Sequence, residues 1–458
     1  MATSQAPGIH DYAAETAKAL ASGRDVSLDL LLPNGSGPNV RPVIQAFRRA
    51  TGIRVRLSET PVDDIVLQLT LDALGNTGSY DLALPATFGL PDLVESGAIV
   101  PVTQYAARHE PAGFRNNVLY RTGDTFDNQT YGFQADGDAY VMFYHKEFLS
   151  DPTEQAKYAD TFGYPLAAPE TWQELDQQIK HFHRPDQDIY GGLLFRTPGY
   201  VAWEWWIRFH AKGIWPLSND LTPQIAGDAG VSSLEELIAV TDYLCPEVAT
   251  LGLFQNWERY AKGDIFCNIG WGGSQKYLNG PKSDMRGRMV FRPTPGGVID
   301  GKLLVASYFN WGWNYVVTSR SAEPEIAYLF ALFASSSEMS TLSVRQQGGY
   351  FDPFRSEHYD DSSIVSAYSK EFLDVHFDSM KNAIPDLYLA HQGEYFRVLS
   401  DWIIRALHRD VTPREALVRV AETWDLISRR TDFDKQRQRW RDLRAKYPDP
   451  VRNRLRDL

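Results

Sequence analysis

The chain has 458 residues, a formal net charge of −12, 43% hydrophobic residues and 23% charged residues. A single hydrophobic core stops growing well before that length, so two or more domains are expected, and the acidity argues against nucleic acid as a partner. No uncharged apolar run is long enough to span a bilayer, and the two cysteines, Cys245 and Cys267, give no zinc-type cysteine spacing. The opening MATSQAPGIHDYAAE has neither the basic nor the apolar region of a secretory signal, which leaves a cytosolic chain or the mature form of an exported one.

The first part of the chain alternates strand and helix. Val26 to Pro33 reads as a buried strand, and Val40, Val43, Ile44 and Phe47 then fall on one helical face. TGIRVRLSE gives a second strand through Val55 and Leu57, Val62 to Leu74 a helix, and Tyr80 to Ala86 a third strand. This order predicts a mostly parallel sheet covered by helices, an α/β class. Further on, Thr171 and Glu174 stand at capping-box spacing, ahead of a stripe of Trp172, Leu175, Ile179 and Phe182. Thr412, Pro413 and Glu415 start another helix, whose buried face is Leu417, Val420, Trp424 and Ile427. FDKQRQRWRDLRAKY, near the end, is expected as a mostly polar helix.

Several segments, in this order, carry a resemblance: AFRRATGIRVRL, YDLALPATFGLPDLVESGAIVPV, YGFQADGDAYVMFYHKEFL, PETWQEL, YAKGDIFCNIGWGG, and the run from PTPGG through NWGWNYVVTSRSAEPEIAYLFALFASS. Together, from Leu28 to Leu426, they resemble the extracellular solute-binding proteins of bacterial ABC importers, the sugar-binding family that includes maltose-binding protein. One departure is His145, where the family usually has Asn. The resemblance implies two doubly wound α/β lobes joined by a multi-crossing hinge, a ligand cleft between them, and an exported, periplasmic or membrane-anchored protein. The lobes are expected at 1–138 plus 308–350 and at 139–307 plus 351–458. The implied partners are a sugar or polyol and the permease subunits of an importer, with no cofactor, no metal and a monomeric state. Export would let a Cys245–Cys267 disulfide persist; the alternative of two buried free thiols stays open.

A sugar has polar edges and an apolar face, so its receptor needs aromatic platforms beside a few placed polar groups. Trp271 with Gly272, and Tyr308, Asn310 and Trp311 near the predicted return crossing, fit that need, since glycine lets backbone approach a ligand. Trp203 and Trp206 lie one helical turn apart; one is expected at the ligand and the other in the core, without a choice between them. The polar candidates follow the first-lobe strands: Asn34 and Ser36, Glu59, Thr87 with Phe88, and Asp136 with Asp138. Tyr350 ends the QQGGY run at the third expected crossing, as hinge or ligand residue. Arg196, Arg345 or Arg355 would serve an anionic ligand, and each is equally read as a surface charge.

Two rival classes share these residues. A carbohydrate-active enzyme, a glycoside hydrolase or lyase, would need a carboxylate pair, for which Asp136 and Glu204 are available among 58 acidic residues. A chemoreceptor-docking protein would keep the same fold and change only the downstream partner. No nucleophile elbow, HExxH or phosphate-binding loop is present, and His181 and His183, two apart, do not share a helical face.

Overall fold

The computed structural model describes residues 8–75 and 78–458. Two compact units are formed, one from residues 1–138 and 311–367, the other from 139–310 and 368–458. The chain therefore passes between units three times, after Asp138, Asn310 and Ala367. Residues 351–367 belong with the first unit, where Leu119 N–H donates to Phe354 O and Ser356 N–H to Asn117 O. Among the described residues no helix is long and apolar enough to cross a membrane.

The first unit is built on a five-stranded sheet in the order Arg54–Thr60, Ser27–Pro33, Leu82–Ala83, Asn314–Val317, Gly132–Gln134. The first three strands are parallel, as the alternating pattern predicts. The strand expected over Tyr80 to Ala86 keeps ladder pairing only at Leu82–Ala83, although Asp81 N–H and Leu84 N–H still reach the first strand at 2.8 and 3.0 Å. Asn314–Val317 runs antiparallel to Leu82–Ala83, and Gly132–Gln134 antiparallel to Asn314–Val317. Gly132–Gln134 is thus parallel to the first three strands, and the start of Asn314–Val317 lies at the edge where the other four end. Helix Gly37–Thr51 buries Val40, Val43 and Phe47 on the expected face.

The second unit holds a four-stranded sheet in the order Met289–Pro293, Val141–His145, Ile265–Gly270, Tyr190–Leu193. The last two strands are parallel, and Val141–His145 is antiparallel to its neighbours. The expected capping box closes, Thr171 with Glu174 before Trp172–Phe182, and the helix start expected at Thr412 proves to be a second one, Thr412 with Glu415 before Pro413–Arg430. Trp172, Leu175, Ile179 and Phe182 are buried, as are Leu417, Val420, Trp424 and Ile427. The polar tail forms helix Phe433–Lys446, which buries Trp440 and Leu443.

The expected Cys245–Cys267 disulfide is not formed; both are free, buried thiols. The reason is topological. Strand Tyr190–Leu193 runs between them: Gly192 pairs with Cys267 on one side and accepts the Cys245 N–H at 2.9 Å on the other. Two strand spacings amount to roughly 9–10 Å, beyond the roughly 4.4–6.8 Å between Cα atoms that a disulfide spans. Each sulfur has its own acceptor, Glu247 Oε2 for Cys245 at 2.6 Å and Gly191 O for Cys267 at 3.4 Å.

Two predictions follow from this packing. Alkylation in denaturant without reductant, read by intact mass, adds two alkyl groups. The second concerns His358 in the first unit and His210 in the second, whose pKa values burial pushes down to about 3 and about 4. His358 accepts the Phe354 N–H at 3.3 Å and meets Ser340 Oγ at 3.1 Å; His210 meets Trp206 O at 2.8 Å. Below the ordinary histidine value of about 6.5 the unfolded chain takes up these protons and the folded chain does not, so their contribution to stability is lost as pH falls, by about 2 kcal/mol each at pH 5. Urea titrations at pH 7.5 and 5 check it: the wild type loses more stability over that interval than His358→Gln or His210→Gln.

Candidate functional site

Strand direction decides where the polar candidates of the first unit go. Asn34 and Ser36 follow Ser27–Pro33, Glu59 lies in the last turn of pleat of Arg54–Thr60, and Thr87 with Phe88 begins the 3-10 turn after Leu82–Ala83. Asp136 and Asp138 follow Gly132–Gln134, while Trp311 and Trp313 precede Asn314–Val317. All of them therefore lie along one edge of the sheet, the carboxyl edge, where ligands bind in open α/β sheets.

Specific contacts tie this edge together. Tyr350 donates to Asn34 O at 3.2 Å, and its ring lies 6.4 Å from Trp313, which lies 5.9 Å from Trp311. Phe88 meets Trp311 edge-on at 6.1 Å. Thr87 Oγ1 bonds Asn314 Oδ1 at 2.6 Å, and Ser36 Oγ turns back to Pro33 O at 2.7 Å. Glu59 is exposed and pairs with Arg41 at 2.9 Å. Gly312, between the two tryptophans, adopts a left-handed φ of 64° and donates its N–H to Asp138 Oδ2 at 2.9 Å. Asp136 Oδ1 accepts the Gly137 N–H at 2.8 Å and also the Asp352 N–H. Burial first, then the charges of Asp136 and Asp352, push the Asp138 carboxyl well above the usual carboxylate range.

In the second unit the same logic collects aromatics. Trp271 follows strand Ile265–Gly270, Phe195 follows Tyr190–Leu193, and Tyr140 precedes the antiparallel Val141–His145. Trp271 lies 4.7 Å from Tyr140, 5.9 Å from Phe195 and 6.2 Å from Trp203, with ring planes tilted or perpendicular. Trp271 Nε1 donates to Asn310 Oδ1 at 2.9 Å, while Asn310 Nδ2 is buried with no hydrogen-bond partner. Gly272 opens the short buried helix Gly272–Leu278. Tyr308 is fully buried, and burial followed by Asp386 pushes its phenol well up.

Trp203 and Trp206 pack in different surroundings. Trp206 packs on His210 and Phe396 at 4.6 and 5.3 Å and belongs to the core; Trp203 joins Trp271, Tyr140 and Tyr200. Two of the arginines considered for an anionic ligand have other roles. Arg196, 4% exposed, binds Glu204 at 2.6 Å, and Arg355 donates to Ser335 O at 2.6 Å with Phe114 against its guanidinium. Arg345 is an exposed residue capping helix Ser337–Val344. Glu204 is held by Arg196 and also by Arg208 at 2.9 Å, and Arg208 is doubly bonded to Asp176. Burial pushes the Glu204 carboxyl up, but the two guanidinium groups outweigh it and hold it below its ordinary value. Glu204 is therefore a member of a buried chain of ion pairs.

Sequence reasoning missed Tyr140, Phe195, Tyr200 and Trp313 among the rings, and Gln134 and Asp352 among the polar groups. Tyr140 lies two residues past Asp138 and could have been read from the same run. Asp352 gives no local sign, because it arrives on a distant segment.

The fold is that of a two-unit α/β binding protein. Residues 43–370 match the family described as bacterial extracellular solute-binding protein, and the chain belongs to that family. A solute-binding protein of an ABC transporter from Agrobacterium radiobacter, in complex with ribitol, is 18% identical over 88% of this chain and 98% of its own, with a TM-score of 0.73. Maltose-bound MalE3 of T. maritima is 17% identical over 88% and 100%, with a TM-score of 0.74. The GacH receptor of Streptomyces glaucescens, solved unliganded and with acarbose, is 16% identical over 92% and 100%, with a TM-score of 0.69. No curated protein matches the chain in sequence.

The ion-pair network gives a test. Glu204→Gln removes one member and leaves two buried guanidinium groups short of charge, at a cost of about 3–5 kcal/mol. Trp206→Ala opens the core and costs a similar amount, about 3–5 kcal/mol. Equilibrium denaturation of both variants checks these values.

Proposed function

We propose that this protein captures a sugar or polyol on the extracytoplasmic side of the membrane and delivers it to the permease of an ABC importer, acting as a monomer and without catalysis. The observation that carries the reading is the chemistry gathered at one sheet edge of each unit. Buried carboxylates and Trp311, Trp313 and Tyr350 gather in the first unit; Trp271, Trp203 and Tyr140 gather with Asn310 in the second. Carboxylates accept hydrogen bonds from adjacent hydroxyls, the unpartnered Asn310 Nδ2 supplies a donor, and rings cover an apolar sugar face. The ligands bound by the similar structures, ribitol, maltose and acarbose, are of this chemical kind.

The lobe boundaries are proposed at the three passages after Asp138, Asn310 and Ala367, the places where a hinge would bend. Binding stabilises a closed arrangement only as far as the solute makes better contacts there. The enzyme reading loses support because Glu204 is committed to Arg196 and Arg208.

A thermal-shift screen over neutral sugars and polyols is expected to give at least one compound whose stabilisation rises with concentration. That compound is expected back unchanged after prolonged incubation. Trp271→Ala and Trp311→Ala, folded by circular dichroism, are expected to weaken its Kd about tenfold or more, about 1.4 kcal/mol. No shift across the panel, or turnover of the bound compound, overturns the reading.

A further inference from the structure

The geometry points to a cation subsite in the first unit: the carboxylates of Asp136, Asp138 and Asp352, with the amide oxygen of Gln134, receive positive charge from a divalent metal ion or from an ammonium group on the solute. This rests on the solute site proposed above and narrows its chemistry.

The three carboxylates each offer an oxygen within 4.8 Å of the others, and all three residues are buried. Two chain segments are fixed against each other to achieve this. The Asp352 N–H donates to Asp136 Oδ1, and a Cβ added at Gly137 would stand 2.1 Å from Pro353 O, so the backbones are in direct contact. The groups that act on the Asp138 carboxyl are the carboxyls of Asp136 and Asp352, the latter also as a hydrogen-bond partner, and one main-chain donor, the Gly312 N–H. Concentrated negative charge of this kind is costly away from water unless a proton or a cation offsets it.

Gln134 supplies an independent sign. It is 2% exposed, and its Nε2 donates to the main-chain oxygen of Asp136, which fixes the amide at the cluster. Its Oε1 is buried with no hydrogen-bond partner. An amide oxygen left over on a side chain held against the Asp136 main chain adds one more acceptor to the carboxylate oxygens, the ligand chemistry of hard cations and of ammonium donors. Two of the arginines that would have favoured an anionic solute, Arg196 and Arg355, are buried in other bonds.

The test uses the full chain in chelator-treated buffer at pH 7.5, by thermal shift and calorimetry, in two arms. The first titrates CaCl2, MgCl2 and TbCl3, reading terbium emission sensitised by Trp311 and Trp313, the neighbours of Gly312. The second, in EDTA, compares charge-matched sets: glucose, glucosamine and glucuronate; sorbitol, glucamine and gluconate. A metal source gives stabilisation and sensitised emission in the first arm. An ammonium source gives at least a tenfold preference for the amino member of a set in the second. In either case Asp352→Asn and Asp138→Asn, folded by circular dichroism, reduce the effect at least tenfold.

Neutral compounds binding as tightly as their amino partners, with no metal effect, overturn the cation subsite and leave the solute reading standing. Metal binding with no response to any sugar or polyol supports the subsite and removes the solute reading. Silence in both arms overturns both.

Discussion

One hydrogen bond organises the first unit's site: the Gly312 N–H donating to the Asp138 carboxylate. Asp138 closes the segment leaving strand Gly132–Gln134, and Gly312 lies just before strand Asn314–Val317, so the bond joins an outgoing and an incoming stretch at one sheet edge. It requires a left-handed residue at 312, which glycine supplies at no steric cost. With Gly312 so placed, the Trp311 and Trp313 rings stay 5.9 Å apart, the first also meeting Phe88 and the second Tyr350. Trp-Gly-Trp is thus a single device: the glycine holds the carboxylate and the rings form the wall beside it.

The second unit solves a different problem. Helix Val201–His210 is buried along its whole length, yet carries Glu204 and Arg208. Neither charge could stay in that position alone. Arg196 and Asp176 complete an alternating chain of charges, Arg196, Glu204, Arg208, Asp176, in which every member has an opposite neighbour. That chain fixes the helix carrying Trp203 behind the Trp271 and Tyr140 rings, and it explains why acidic and basic residues appear in an otherwise aromatic run.

Features encoded locally were legible in the sequence. The capping box at Thr171, the helix start at Thr412, the parallel order of the first three strands and the stripes through Trp172 and Trp424 rest on residues a few positions apart, and the structure reproduces them. Trp203 could not be separated from Trp206, because a helix buried on all sides has no polar face to orient it. The role of Asp352 was illegible for another reason: it meets Asp136 across more than two hundred positions of sequence, and no local periodicity records such a meeting. Arg196 and Arg355 stayed open between ligand and surface charge because an arginine destined for a buried partner looks like either until the partner is seen. The disulfide failed on sheet order, which spacing between cysteines does not contain.

The placement of those two thiols on either side of strand Tyr190–Leu193 has a practical consequence. Burial and the Glu247 carboxylate raise the Cys245 pKa to about 12, and burial raises that of Cys267 well above its ordinary value. Since the thiolate is the reactive form, the folded chain is nearly silent toward thiol reagents. A cysteine introduced at an exposed position on either unit would therefore take a fluorophore or spin label by itself, with the native thiols left in place. Labels set on both units could report the distance between them directly.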